Sequence, residues 1–180
     1  MSFNFFKMEI ELENGLRLEI NENDKTSSVL KLNPKSKEVL IPRYAEYKGE
    51  KYKIISIKSH ALKNVSLELL QFADDSEVEY FGNSIIYSSD IKKLQIPRSL
   101  NKVDDDWLNN VRSIYDIEIS PKNQLFKYEK GNFLLGKSEA NSNEFDCLFY
   151  TRYEIEEAVI PQQVKIVKKN SFNYHPYLKT

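Results

Sequence analysis

One stretch of the sequence, residues 131–138, fits a signature of nucleotide-binding chemistry. It reads GNFLLGKS, which matches the phosphate-loop pattern of a glycine, four residues, a second glycine, a lysine and a serine or threonine. In such a loop, backbone N–H groups surround the phosphates, while the lysine and the hydroxyl contact the terminal phosphate and its magnesium ion. The nucleotide-binding residues would here be Gly131, Gly136, Lys137 and Ser138.

The neighbouring residues do not predict the strand, loop and helix that this chemistry requires. Three bulky apolar residues, 133–135, lie between the glycines, where a curled loop needs backbone freedom. The polar run 138–145 is rich in Asn and Ser and predicts a turn, not a helix whose N-terminus would complete an anion site. We therefore predict a β-hairpin, with residues 133–135 against 148–150. Nucleotide binding stays as the alternative.

Other groups that could do chemistry are isolated along the chain. His60 and His175 lack partners at metal-ligand spacing, so we predict that both are solvated surface residues. Cys147 is the only cysteine, which excludes an internal disulfide and favours a small strand residue over a catalytic thiol. The acidic run 104–106 lacks the glycine and glutamate of a calcium loop and is interpreted as the cap of a short helical turn starting at Trp107. We predict no enzyme activity, no metal and no cofactor.

Composition narrows the class of partner. The chain has 180 residues, 29% of them charged, with a formal net charge of −1 and both signs interspersed. Because there is no basic stripe, nucleic-acid binding is not expected. No apolar run is long enough to span a membrane, and the start lacks the apolar core of a signal peptide, which favours the cytoplasm.

A short alternating pattern recurs through the sequence. Residues 39–42, 94–97 and 158–161 each alternate and then end at a proline, which cannot donate to a continuing ladder. Residues 70–72 and 117–119 share the alternation without the proline. All five predict short half-buried strands. Stacking these strands would form a continuous core from Ile41, Phe72, Ile96, Ile119 and Ile160.

A second apolar pattern follows the strands. Its copies are Ile54, Ile57, Ala61, Leu62; Val78, Phe81, Ile85, Ile86; Leu100, Val103, Trp107, Leu108; and Val164, Val167, Ser171, Phe172. The first three copies recur about every 23 residues, which is the spacing of leucine-rich repeats. Near the N-terminus, residues 15–20 and 29–32 alternate around a turn at 21–24 and predict a hairpin that seals the first coil.

These motifs resemble the BspA-like leucine-rich-repeat family of anaerobic bacteria and protists. The nearest matches are residues 39–42 with 47–64, and residues 159–173. The family commonly inserts a hairpin before a strand of the type found at 155–161. The resemblance implies a non-enzymatic protein-interaction module, and a cell-surface adhesion or antigen role if the chain is displayed there.

We therefore expect an α/β, β-rich, right-handed leucine-rich-repeat solenoid with short parallel strands and inserted β-hairpins. Residues 1–38 would form an N-terminal hairpin cap, and residues 39–180 a solenoid with an incomplete last repeat. An unidentified protein partner would bind the outward strand positions, namely Leu40, Gln71, Lys93, Gln95, Glu118 and Val159, flanked by Glu38, Leu69, Asp116 and Glu157. The uncapped last coil, with Val164, Val167 and Phe172, predicts self-association.

Overall fold

The computed structural model describes residues 8–111, 113–172 and 175–179. These residues form strands and turns and contain no helix. The strands are β1 (Met8–Glu11), β2 (Leu16–Asn21), β3 (Thr26–Leu32), β4 (Glu38–Ile41), β5 (Tyr44–Tyr47), β6 (Glu50–Ile57), β7 (Ser66–Phe72), β8 (Tyr80–Phe81), β9 (Asp90–Ile96), β10 (Lys102–Val103), β11 (Asp116–Ile119), β12 (Phe126–Glu129), β13 (Phe133–Gly136), β14 (Cys147–Thr151) and β15 (Ile166–Val167).

The first sheet joins the N-terminal hairpin to the repeats. Its order is β1-β2-β3-β6-β8-β10, with β5 also paired to β6. β1, β2 and β3 are antiparallel, whereas β3, β6, β8 and β10 are parallel. The predicted hairpin is thus confirmed, although residues 1–7 of the predicted cap lie outside the described residues. Gly15 has φ 87°, and a Cβ there would lie 1.8 Å from the Asn33 carbonyl oxygen, so the turn before β2 requires glycine.

The second sheet consists of the predicted repeat strands. Its order is β11-β9-β7-β4, and every pair is parallel. Ile41 lies beside Phe72, and Ile96 beside Ile119. Buried and less buried residues alternate along 38–41, 70–72 and 94–96, as the period of two requires. Strands 39–41, 70–72, 94–96 and 117–119 are therefore confirmed.

Tight turns stack beside the two sheets, including the one at Trp107, where a short helical turn was expected. The N–H of Leu62 donates to the carbonyl of Ile85 at 2.8 Å, and the N–H of Ile85 to that of Trp107 at 3.1 Å. Each turn ends at a residue with positive φ, including Asn64 at 59° and Asn110 at 56°. A left-handed residue interrupts a right-handed helix. The α/β expectation is therefore wrong for the described residues, while the right-handed course of the solenoid stays a prediction.

The third sheet has the order β12-β13-β14-β15. β13 and β14 are antiparallel, so the hairpin predicted for 133–135 and 148–150 is confirmed. The strand predicted at 158–161 is wrong. It forms no ladder, and Ile160 is 41% exposed. The predicted row of buried residues therefore ends at Ile119, because no described strand covers Ile160.

Candidate protein-binding face

The second sheet aligns the predicted outward residues into rows. Side chains alternate along a strand, so the residues between the buried positions face away from the core. Register places Leu40 beside Gln71, and Gln95 beside Glu118. A second row runs through Glu38, Leu69, Lys93 and Asp116. We call the aligned residues Leu40, Gln71, Lys93, Gln95 and Glu118 the stripe.

Val159 and Glu157 do not belong to the stripe. Both lie in the segment that forms no strand, and Val159 is 76% exposed. Their placement beside the other outward residues was wrong for the same reason as the burial of Ile160. An outward row needs hydrogen-bonded neighbours to align it, and this segment has no ladder partner among the described residues.

An acidic pair shares one lysine at the β9–β11 end of the stripe. Lys93 Nζ lies 2.9 Å from Glu118 Oε2 and 3.4 Å from Asp116 Oδ2. The hydrogen bond to Glu118 and its charge raise the pKa of Lys93, so the amine stays charged. One cation and two carboxylates leave a single negative charge on this exposed group. Such surface pairs stabilise a fold little, which leaves the three groups available to a partner.

Gln95 has a structural contact that the sequence did not predict. The Phe72 backbone N–H donates to Gln95 Oε1 at 2.7 Å. The side-chain amide thus takes the place of a backbone acceptor between β7 and β9. Gln95 therefore links the two strands and is not merely a solvated residue.

An open groove lies beside the acidic end of the stripe, between β11 and β12. Its volume is about 650 Å³, and its lining includes Lys93, Asp116, Glu118 and Tyr128. Its lining includes residues of β11, at the end of the second sheet, and of β12, at the start of the third. The Tyr128 hydroxyl donates to the Gly131 carbonyl at 2.7 Å, and burial raises the pKa of Tyr128 to about 12. The sequence carried no signal for the groove, because its walls come from separate repeats.

Gly136, Lys137 and Ser138 of the GNFLLGKS segment each contact other residues of the hairpin. A Cβ at Gly136 would lie 2.5 Å from the Phe149 ring. The Lys137 ammonium lies 5.3 Å from the Phe145 ring centroid. Ser138 donates to Asp146 through its backbone N–H at 2.8 Å and its hydroxyl at 2.7 Å. No helix begins at Lys137, so the fold gives nucleotide binding through Gly131, Gly136, Lys137 and Ser138 no support.

Of three further predictions, for His60, His175 and Cys147, the structure confirms two and contradicts one. His60 is exposed, as predicted, but His175 is partly buried, with Nε2 3.2 Å from the Thr151 carbonyl oxygen and 3.1 Å from that of Arg152. Its prediction as a solvated residue was wrong, because the end of the chain folds back on β14. Cys147 is a buried strand residue as predicted, and burial raises the pKa of its thiol.

The acidic run 104–106 caps no helix. Asp104 accepts a hydrogen bond from the Tyr80 hydroxyl at 2.8 Å. Asp105 pairs with Lys168 at 3.2 Å, and Asp106 pairs with Lys169 at 3.0 Å. The run therefore connects the third repeat to the last coil.

Comparison with known proteins agrees with the repeat architecture. Residues 50–134 match, in six copies, the family described as BspA type Leucine rich repeat region. A leucine-rich repeat protein from Eubacterium ventriosum has the same kind of fold, with a TM-score of 0.50 and 16% identity, over 96% of this chain and 59% of that chain. No curated protein matches the chain significantly.

Two further solved structures are less similar. A leucine-rich repeat protein from Bacteroides capillosus is 16% identical over 62% of this chain and 97% of its own, with a TM-score of 0.39. The pneumococcal vaccine antigen PcpA is 12% identical over 96% of this chain and 64% of its own, with a TM-score of 0.36.

No helix in the described part of the chain is long and apolar enough to cross a membrane.

Proposed function

Because the chain carries BspA-type leucine-rich repeats, we propose that it is a non-enzymatic module that binds another protein through the stripe and the adjoining groove. Repeat proteins of this kind present an extended ordered sheet and use it for binding. A role in adhesion at a cell surface, or as a surface antigen, is the part of this proposal that rests on resemblance to the family alone.

The observation that carries the proposal is the alignment of the stripe beside the groove. Leu40 supplies exposed apolar area, being 45% exposed, and the group of Lys93, Asp116 and Glu118 supplies charge. An extended partner segment could lie along the edge of β11 and gain main-chain hydrogen bonds there. The excess carboxylate favours a partner with a basic residue at this point.

The test is a charge exchange that preserves the ion pair. The double variant Lys93→Glu/Glu118→Lys keeps opposite charges at positions 93 and 118 but reverses them on the stripe, and it sets a carboxylate at position 93 beside Asp116. Partners captured by the wild-type chain would be identified by mass spectrometry, purified and titrated against both proteins. We expect the double variant to bind at least about tenfold more weakly, because a misplaced charge costs more than about 1.4 kcal/mol.

The matched control exchanges another surface pair. Lys25 and Glu50 form an ion pair on the first sheet, away from the stripe. Lys25→Glu/Glu50→Lys should leave binding unchanged. If the stripe variant binds as tightly as the wild type, the site lies elsewhere, and the hairpins at 15–32 and 131–150 are the next surfaces to test.

A further inference from the structure

The two edge strands of the second sheet differ in how their free edges are covered. β4 lies at one edge of this sheet and β11 at the other. Side chains cap the free edge of β4, where the Leu40 carbonyl oxygen accepts a hydrogen bond from Asn14 Nδ2 at 3.1 Å and the Glu38 carbonyl oxygen accepts one from the Ser36 hydroxyl. An edge whose backbone groups are occupied in this way is a poor template for another strand.

The peptide groups within β11 alternate between its two edges. Ser120, directly after the strand, donates its N–H to the Ile96 carbonyl of β9 at 3.0 Å, so residues of even number point their peptide groups toward β9. Ile117 and Ile119 therefore direct their N–H and C=O groups to the opposite edge. Among the described residues, none donates to or accepts from these groups of Ile117 and Ile119.

The groove described above runs along this free edge of β11. Every residue of the strand, Asp116–Ile119, lines it. Asp116 and Glu118 lie on the outer face of the sheet, whereas Ile117 and Ile119 pack toward the core. A groove lined from both faces of a strand lies beside the strand and not over one face. Since β9 fills the other side of β11, the groove adjoins the unbonded backbone groups.

The row of inward apolar residues is incomplete at the same edge. Ile41, beside Phe72, and Ile96, beside Ile119, are both fully buried, but Ile119 is only partly buried. The gap lies inside the fold, because the chain continues into β12, whose residues line the groove on its other side. An apolar side chain placed in the groove beside Ile119 would extend the row.

The outer face of the groove carries an excess of negative charge. Lys93 is shared by Asp116 and Glu118, and Lys127 of β12 is already paired with Glu129 at 2.9 Å. A strand added to β11 would place its own outer side chains about 5 Å from the two carboxylates, with Lys93 on their far side. Lys or Arg at these positions would form the cross-strand pairs that Lys93 alone cannot supply to both carboxylates.

We propose that the groove binds an extended segment of the partner protein as an added strand beside β11. The backbone of this segment would bond to the N–H and C=O groups of Ile117 and Ile119. Its side chains would alternate, with apolar residues toward Ile119 and Lys or Arg toward Asp116 and Glu118. The inference rests on the proposed function, because it specifies the form in which a partner meets the groove beside the stripe.

The experiment begins with a displayed library of random short peptides, selected on the immobilised full chain. We expect the enriched peptides to alternate apolar residues with Lys or Arg. One enriched peptide would then be synthesised with a single backbone N-methyl group at each position in turn and titrated by fluorescence anisotropy. Methylation at every second residue should weaken binding about tenfold or more, whereas the intervening positions should tolerate it, because alternate N–H groups point at β11.

A charge reversal on the protein tests the second part of the proposal. Glu118→Lys should weaken binding of the enriched peptide about tenfold or more, since it sets a cation beside the basic side chains of the peptide. Glu46→Lys is the matched control, because it makes the same charge change at an exposed position of β5 in the first sheet. It should leave the affinity unchanged. Both residues are exposed, so both variants should keep the wild-type circular dichroism spectrum.

Three results would overturn strand addition. They are a library that yields no ligand, N-methyl effects without a period of two, and equal losses in Glu46→Lys and Glu118→Lys, which would indicate attraction by net charge alone. Failure of the proposed function has a different signature. In that case captured partner proteins would bind the Lys93→Glu/Glu118→Lys variant as tightly as the wild type, whatever the N-methyl series shows.

Discussion

Replacing Ile96 with alanine should destabilise the protein by about 4 kcal/mol. Ile96 is fully buried in β9 and lies beside Ile119 of β11. Removing three carbon atoms costs about 2.4 kcal/mol at about 0.8 kcal/mol each. A residual cavity of about 60 Å³ adds about 1.5 kcal/mol, since its neighbours are held in sheets and relax only partly.

Gln95, the outward residue next to Ile96, should give a loss of stability between those of a buried and a solvated residue. The alternation alone predicts that Gln95→Ala costs less than about 0.5 kcal/mol. The bond from the Phe72 N–H changes this value to about 1 kcal/mol, because a backbone donor loses its acceptor. Gln95→Glu retains an acceptor oxygen and should lie near the wild type. Gln71→Ala, on the next strand, should also cost less than about 0.5 kcal/mol.

The assay is urea unfolding monitored by circular dichroism, with the slope checked for constancy across the variants. The expected order of loss is Ile96→Ala, then Gln95→Ala, then Gln71→Ala. If Gln71→Ala were as harmful as Ile96→Ala, the inward and outward faces would be exchanged and the register wrong by one residue. Equal effects of Gln95→Ala and Gln71→Ala would show that the bond to Phe72 contributes nothing.

Four further variants test other parts of the fold. Trp107→Ala should cost about 3–5 kcal/mol because the indole is buried, whereas Phe172→Ala should cost about 2 kcal/mol because its ring is only partly buried; urea midpoints would separate them. Gly136→Ala should cost about 1–3 kcal/mol, since its Cβ would overlap the aromatic ring across the hairpin, and a neutral result by the same assay would contradict this packing. Hydrogen bonds from Ser138 hold the pKa of Asp146 below its usual range, so this contribution is present at neutral pH and lost as the pH falls through the folded value. Melting curves should therefore show Ser138→Ala less stable than the wild type at neutral pH, with a difference that shrinks below about pH 4; a difference independent of pH would count against the carboxylate.

Much of the repeat architecture could be predicted from local sequence patterns. The alternation around Ile41, Phe72, Ile96 and Ile119 identified four strands of the second sheet, because a period of two specifies which side chains face the core. The bulky interior of GNFLLGKS was sufficient to predict a hairpin instead of a phosphate loop, because that signal also lies within adjacent residues.

The structure corrected the predictions that depend on partners distant in sequence. Residues 158–161 have the same alternating pattern as 39–42, yet among the described residues only the latter have a neighbouring strand to complete a ladder. The bond from Phe72 to Gln95 and the groove beside Tyr128 likewise join separate repeats. The helical turn predicted at Trp107 was based on the acidic run before it, whereas the structure has a tight turn there that ends at the left-handed residue Asn110.

The sequence by itself therefore determined where strands form and which of their residues face inward. Tertiary structure decided which of those strands are completed, and which faces stay exposed. Val167 and Ile57 occupy equivalent positions and are both aliphatic, but only Ile57 is buried, since a following coil covers it. Burial in a repeat protein depends on pairing with the neighbouring unit, which no pattern within one unit specifies.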